Sequence, residues 1–175
     1  YHNVEHAKDV LRSVERIALS ENITDERLFL LKTAAIYHDA GFIEKQDENE
    51  GVGARLAEES LPKHGYTEQQ ITKIKELIFV TRVPQKPKTK LEEVICDADL
   101  DYLGRADFHE TSNRLRDELK GRGKIKTNKE WDEIQVKFLK THKYFTETSQ
   151  KTREKKKQKN LQEVLDRIKH TPNDF

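Results

Sequence analysis

At 175 residues, with 33 basic and 32 acidic side chains and a net charge of +1, the chain has the length of one helical domain with a real core and not of two full domains. The near balance of charge removes any whole-molecule attraction to nucleic acid or membrane, no run approaches the roughly 20 apolar residues of a bilayer span, and no signal-peptide pattern opens the chain. A single cysteine, Cys96, excludes an internal disulfide and fits a reducing compartment, so a soluble cytoplasmic protein is expected. No methionine is present, even at the start, which leaves two readings: a chain that begins inside a longer gene product, or a sequence that has lost modified methionines, in which case the true spacings are longer.

Helical periodicity runs almost throughout, and the expected fold class is all-α. Val4, Ala7, Val10, Leu11, Val14 and Ala18 recur at threes and fours, the apolar face of a first helix, and His2 and His6 share one of its faces. A second helix opens after Thr24, the expected cap, and runs through Leu28, Leu31, Ala34 and Ala35 to His38, with Gly41 as its stop. Asp47-Glu48-Asn49-Glu50-Gly51 reads as an acidic loop before a third helix over 52–61, closed by Pro62 and Gly65. Thr67 and Gln70 open a fourth, whose stripe is Ile71, Ile74, Leu77 and Ile78. The proline-punctuated loop 84–88 is a candidate rim of a site, and 91–103 is a fifth helix in which Cys96 is a small buried hydrophobe.

Gly121-Arg122-Gly123 separates a helix over 108–119 from a long final section, 128–168. Trp131, Phe138, Leu139, His142, Tyr144 and Phe145 are expected along one helix as core, with 142–146 a candidate lid. The basic run 151–159 reads as a solvated helix face, because nucleic-acid binding needs aromatic or turn partners that it lacks, and 161–168 is expected to return to the core.

The chemistry concentrates in three fragments. Tyr1-His2-Asn3-Val4-Glu5-His6 and Tyr37-His38-Asp39-Ala40-Gly41 hold three histidines and an aspartate in spacings that suit a divalent metal, and Cys96-Asp97-Ala98-Asp99-Leu100-Asp101 offers a closing carboxylate. Any one of these histidines alone reads as a hydrogen-bonded core residue, and His38-Asp39 alone as helix-end dipole chemistry. Their occurrence together, in order, is the signal.

These fragments resemble the signature of the HD superfamily of metal-dependent phosphohydrolases, over residues 1 to about 103. The resemblance implies a single HD-type helical bundle spanning 1–175, with the metal-site core in 1–103 and a helical extension in 104–175. It implies metal ligands His6, His38, Asp39 and Asp99, the last preferred over Asp97 for its Ala-Asp context. The opening ten residues are similar to the start of the cyclic-nucleotide phosphodiesterase signature, in which the first histidine is the general acid; His2 is then the proton donor, and Asp39 serves in catalysis as well as in ligation. The expected cofactor is a divalent ion: manganese, magnesium, iron, nickel or zinc. Such an ion lowers the pKa of bound water to create a hydroxide nucleophile, and a histidine, with its ordinary pKa of about 6.5, can protonate the leaving alkoxide.

Dinuclear relatives add two histidines between the His-Asp pair and the last aspartate. Here Asp39 is followed by Ala40-Gly41-Phe42, Asn49-Glu50 stands where a His-Glu pair is expected, no histidine lies near Thr81, and His64 sits in a surface turn. One ion is therefore expected, or a weakly held second one through Asp39 and water. Arg82 and Lys45 are candidate phosphate contacts, and Asp97 or Asp101 can orient a ligand histidine.

The implied function is hydrolysis of a small phosphate ester, most simply of a nucleotide, with no membrane or nucleic-acid partner and with homo-oligomerisation left open. The alternative from another class is a regulatory module that keeps the metal site and senses a nucleotide without turnover. A nucleic-acid-binding protein acting through the lysine-rich run is a third, and it predicts salt-sensitive binding that ignores chelators.

Overall fold

The computed structural model describes residues 1–43 and 49–170 and is all-α, with no strand among those residues. Eight α-helices follow in order: α1 Val4–Ser20, α2 Asp25–Tyr37, α3 Asn49–Ser60, α4 Glu68–Phe79, α5 Lys90–Asp99, α6 Phe108–Gly121, α7 Asn128–Thr141 and α8 Glu147–His170. No helix among the described residues is long and apolar enough to cross a membrane. The chain divides into two compact units: His2–Leu100 with Phe145–Thr148, and Tyr1 with Asp101–Tyr144 and Ser149–Phe175.

In the first unit α1 packs on α2 and α5, and α4 packs on α2 and α3. Most of the predicted stripes form its core: Val10, Val14 and Ala18 of α1, Leu31, Ala34 and Ala35 of α2, and Ile71, Ile74, Leu77 and Ile78 of α4 are all buried, whereas Val4, the first residue of the predicted α1 face, is exposed. Helix starts are set by local chemistry. Asn3 accepts from the amides of Glu5 and His6, and Thr67 with Gln70 and Thr89 with Glu92 form reciprocal capping boxes. The predicted cap Thr24 bonds the Asp25 carboxylate instead of a helix amide, and Asp25 itself sits at φ +52°.

Two glycines act by close approach. Gly41 is not the stop of α2, which ends at Tyr37; it lies in a 3-10 turn, Ala40–Ile43, where an added Cβ would stand 2.0 Å from the carbonyl oxygen of Asn49. A Cβ on Gly53 would stand 2.3 Å from the Tyr37 carbonyl oxygen. Gly53 lets α3 lie against the end of α2, and Gly41 lets the first residue of α3 lie against the 3-10 turn. Part of the predicted acidic loop is thus helix, since Asn49, Glu50 and Gly51 form the first turn of α3, while Asp47 and Glu48 lie outside the described residues. The fifth helix also ends earlier than expected, at Asp99, followed by a 3-10 turn, Asp101–Gly104.

Segment Phe145–Thr148 belongs to the first unit because Asp97 binds it: the fully buried carboxylate accepts from the Phe145 amide at 2.9 Å, the Thr146 amide at 2.8 Å and the Thr146 hydroxyl at 2.6 Å. The Thr148 amide donates to Glu21 at 2.8 Å. The expected helix through 128–168 is therefore two helices, broken where His142 turns extended at φ −67°, ψ 137°. His142-to-Thr146 is a pinned connection and not a free lid.

In the second unit Phe108, Trp131, Leu139 and Val164 are buried. The basic run departs from a uniformly solvated face. Lys151, Lys155 and Lys159 are exposed, but Arg153, Lys157 and Asn160 follow the helical period inward. Arg153 pairs with Asp101, and Lys157, 2 % exposed, donates to the His142 carbonyl at 2.7 Å and lies over the Tyr144 ring. Asn160 donates to the carbonyls of Leu103 and Arg105. These partners satisfy the buried Lys157 ammonium and the Asn160 amide nitrogen, which would otherwise be costly to bury.

Candidate metal centre

Three helix ends bring four side chains together. His6 enters from the capped first turn of α1, His38 and Asp39 from the residues that close α2, and Asp99 from the last position of α5. One donor atom from each of His6, His38, Asp39 and Asp99 lies within 4.8 Å of all the others. His6 Nε2 is 3.1 Å from Asp39 Oδ2 and 3.6 Å from Asp99 Oδ1; His38 Nε2 is 3.2 and 3.3 Å from the same two oxygens.

The ring of His38 is oriented by backbone. Its Nδ1 donates to the Ala35 carbonyl at 2.8 Å, so Nε2 is the nitrogen left to face the carboxylates. Neither Asp97 nor Asp101 plays that part for His38. His38 Nε2 is buried with no hydrogen bond of adequate geometry to any described residue, although two carboxylate oxygens stand near it. Two imidazole nitrogens and two carboxylate oxygens converging around such an atom are the donor set of a divalent cation, and the residues fit one.

Charge in this cluster follows from competition. Burial works against protonation of His6, yet hydrogen bonds and attraction from Asp39 and Asp99 outweigh it and raise the pKa; His38, more buried, is raised well above the usual value by the same two acids. Burial likewise opposes ionisation of Asp39 and Asp99, and the two imidazoles overcome it and hold both pKa values low. The raised histidines stabilise the fold fully below their unfolded pKa of about 6.5, and that contribution is lost as pH rises through the folded values. The lowered aspartates stabilise it above about 3.9, and that is lost as pH falls through their folded values. The metal-free protein is therefore expected to be most stable between about pH 4 and 6.5, and added manganese, which needs neutral imidazoles, is expected to move the optimum upward. Thermal melts across pH with and without manganese check this; a metal-free optimum above pH 8 contradicts the charge pattern.

Of the other predicted residues, His2 is half-buried with its ring edge-on to that of His6, centroids 6.0 Å apart. Arg82 is exposed, paired through Nε and Nη2 with Glu50 at 3.3 Å. Lys45 lies outside the described residues. His64 is exposed. Cys96 is buried, its thiol pushed up by burial and neighbouring acids, which fits a packed hydrophobe and not a nucleophile.

Two residues were missed as site residues in the sequence. Asn49 Nδ2 donates to Asp39 Oδ1 at 3.1 Å, and Gln85 Nε2 donates to Asp99 Oδ2 at 3.2 Å. The loop 84–88 is thus a rim of the site as expected, but through a carboxamide that carried no signal of its own. A comparison with protein families finds a match to the HD domain over residues 3–102. No curated protein and no solved structure matches the chain.

Proposed function

The chain belongs to the HD domain family, one of metal-dependent phosphohydrolases, and from that premise we propose that it hydrolyses a small phosphate ester, most simply of a nucleotide. The observation that carries this reading is the convergence of His6, His38, Asp39 and Asp99 on one point. These four side chains would hold a divalent ion. When bound, such an ion supplies positive charge for the phosphoryl oxygens and makes water acidic enough to attack near neutral pH.

The remaining roles fall to side chains. His38, anchored on the Ala35 carbonyl, keeps its Nε2 aimed at the cluster. Asp39 and Asp99 offset the charge that gathers there. His2 precedes α1, on the outer side of the extended Asn3 cap, and not on a shared helix face; with its ring edge-on to that of His6 it is the proton donor to the leaving alkoxide. Arg82 is the candidate phosphate contact: its guanidinium is exposed, and a phosphoryl group would take over the Nε and Nη2 donors that meet Glu50. No side-chain nucleophile is needed.

The test is hydrolysis of a panel of nucleoside monophosphates, triphosphates and cyclic nucleotides with added manganese, with Asp99→Ala alongside. Turnover of one class that disappears in the variant is the expected result and names the substrate class. A wild type that binds manganese and turns over nothing in the panel moves the reading to a nucleotide-sensing module.

A further inference from the structure

Asp39 and Asp99 each present one oxygen to the histidines and give the other to a carboxamide. Asp39 Oδ2 faces both Nε2 atoms while Oδ1 accepts from Asn49; Asp99 Oδ1 faces them while Oδ2 accepts from Gln85. The two donors arise independently. Asn49 is the buried first residue of α3, seated beside Asp39 where Gly41 allows its backbone to approach. Gln85 stands in the loop between α4 and α5, and its Nε2 also donates to the Thr81 carbonyl at 3.3 Å. Both atoms that Gln85 Nε2 faces are acceptors, so only the nitrogen end of that amide can point at Asp99; the Asn49 amide is directed at Asp39 by the same logic.

We propose that Asn49 and Gln85 are positioning residues that restrict Asp39 and Asp99 to one donor oxygen each, so that the centre takes a single divalent ion. This rests on the metal reading above. A carboxylate with both oxygens available can chelate one cation or bridge two. An N–H already bonded to the outer oxygen must be stripped away before that oxygen can do either, and the stripped amide loses a charge-assisted bond. A second cation beside Asp39 would also meet the positive end of the Asn49 amide. The pair of carboxamides leaves a donor set of two nitrogens and two oxygens, with the rest of the coordination sphere open to water and substrate.

Titration of the full chain with manganese(II), followed by calorimetry and by the electron paramagnetic resonance of the bound ion, tests this. One ion per wild-type chain is expected. Gln85→Ala and Asn49→Ala should each bind it about 10- to 100-fold more weakly and with an altered resonance spectrum, because the freed oxygen changes the ligand field. Gln85 is half-exposed on a loop, so Gln85→Ala carries the test alone if the buried Asn49→Ala loses its fold. Equal affinity and spectrum in wild type and Gln85→Ala overturn the proposal, as do two ions per wild-type chain. A wild type that takes up no manganese at millimolar concentration overturns the metal reading itself, a result visible before any variant is made.

Discussion

Asp99→Ala is expected to leave a folded chain that has lost at least about a thousandfold in turnover, since the charge stabilisation supplied by a catalytic ion is worth several kcal/mol and each 1.36 kcal/mol is a factor of ten. The substitution removes the oxygen that stands 3.3 Å from His38 Nε2 and 3.6 Å from His6 Nε2, and with it the acceptor of the Gln85 amide. Asp39 still lies within 3.2 Å of both imidazoles, so the metal-free cluster keeps one carboxylate to offset their charge and the fold survives. Manganese affinity should fall further than in either carboxamide variant, because a donor atom is lost and not merely its support. Turnover, manganese titration and circular dichroism on the same samples check all three statements. Undiminished hydrolysis by the variant places the chemistry elsewhere in the chain.

The largest effect on stability is expected at a neighbouring acid that does not enter the cluster. Asp97→Ala should cost about 3–5 kcal/mol, because each buried donor left without its acceptor costs roughly 1–3 kcal/mol and the carboxylate serves several of them. A carboxylate near the C-terminal end of α5 sits against the negative end of the helix dipole, and hydrogen bonds from the Phe145 and Thr146 amides and the Thr146 hydroxyl offset that cost. Without it two backbone amides and a hydroxyl lose their acceptor in the interior. Set against a typical domain stability of roughly 5–15 kcal/mol, that loss is about a fifth or more of the whole. Urea unfolding measures it. Asp97→Asn is the informative companion, because it keeps the shape while turning one acceptor into a donor that faces an N–H; a change below about 1 kcal/mol in both variants contradicts the account.

The helices and the four clustered residues were legible because their signals are local or carried by residue type. Apolar spacing marks Ile71, Ile74, Leu77 and Ile78 as one face, Thr67 and Gln70 cap each other within a single turn, and His-Asp identity at His38-Asp39 survives without any coordinates. The break after Thr141 carries no glycine or proline. It is made at a distance, by Asp97 capturing amide hydrogens that would otherwise extend a helix. Gly41 was misread for a related reason: a helix stop is the common local use of glycine, whereas its need here is the passage of the Asn49 backbone, eight positions on. Asn49 and Gln85 are ordinary polar residues in sequence, and only the 3.1 and 3.2 Å distances to the acids single them out. In the basic run, counting charge hid the period that buries Lys157.

The return of Phe145–Thr148 to the first unit has a consequence for synthesis on the ribosome. Asp97 is made 48 residues before the first of the amides that bind it, an interval of roughly 2–10 s at the usual 5–20 residues per second. During that interval the nascent α5 carries a carboxylate that is expected to stay hydrated until the later segment arrives to cover it. Slower translation across 101–144 is expected to lengthen the time for which Asp97 stays uncovered and the first unit incomplete.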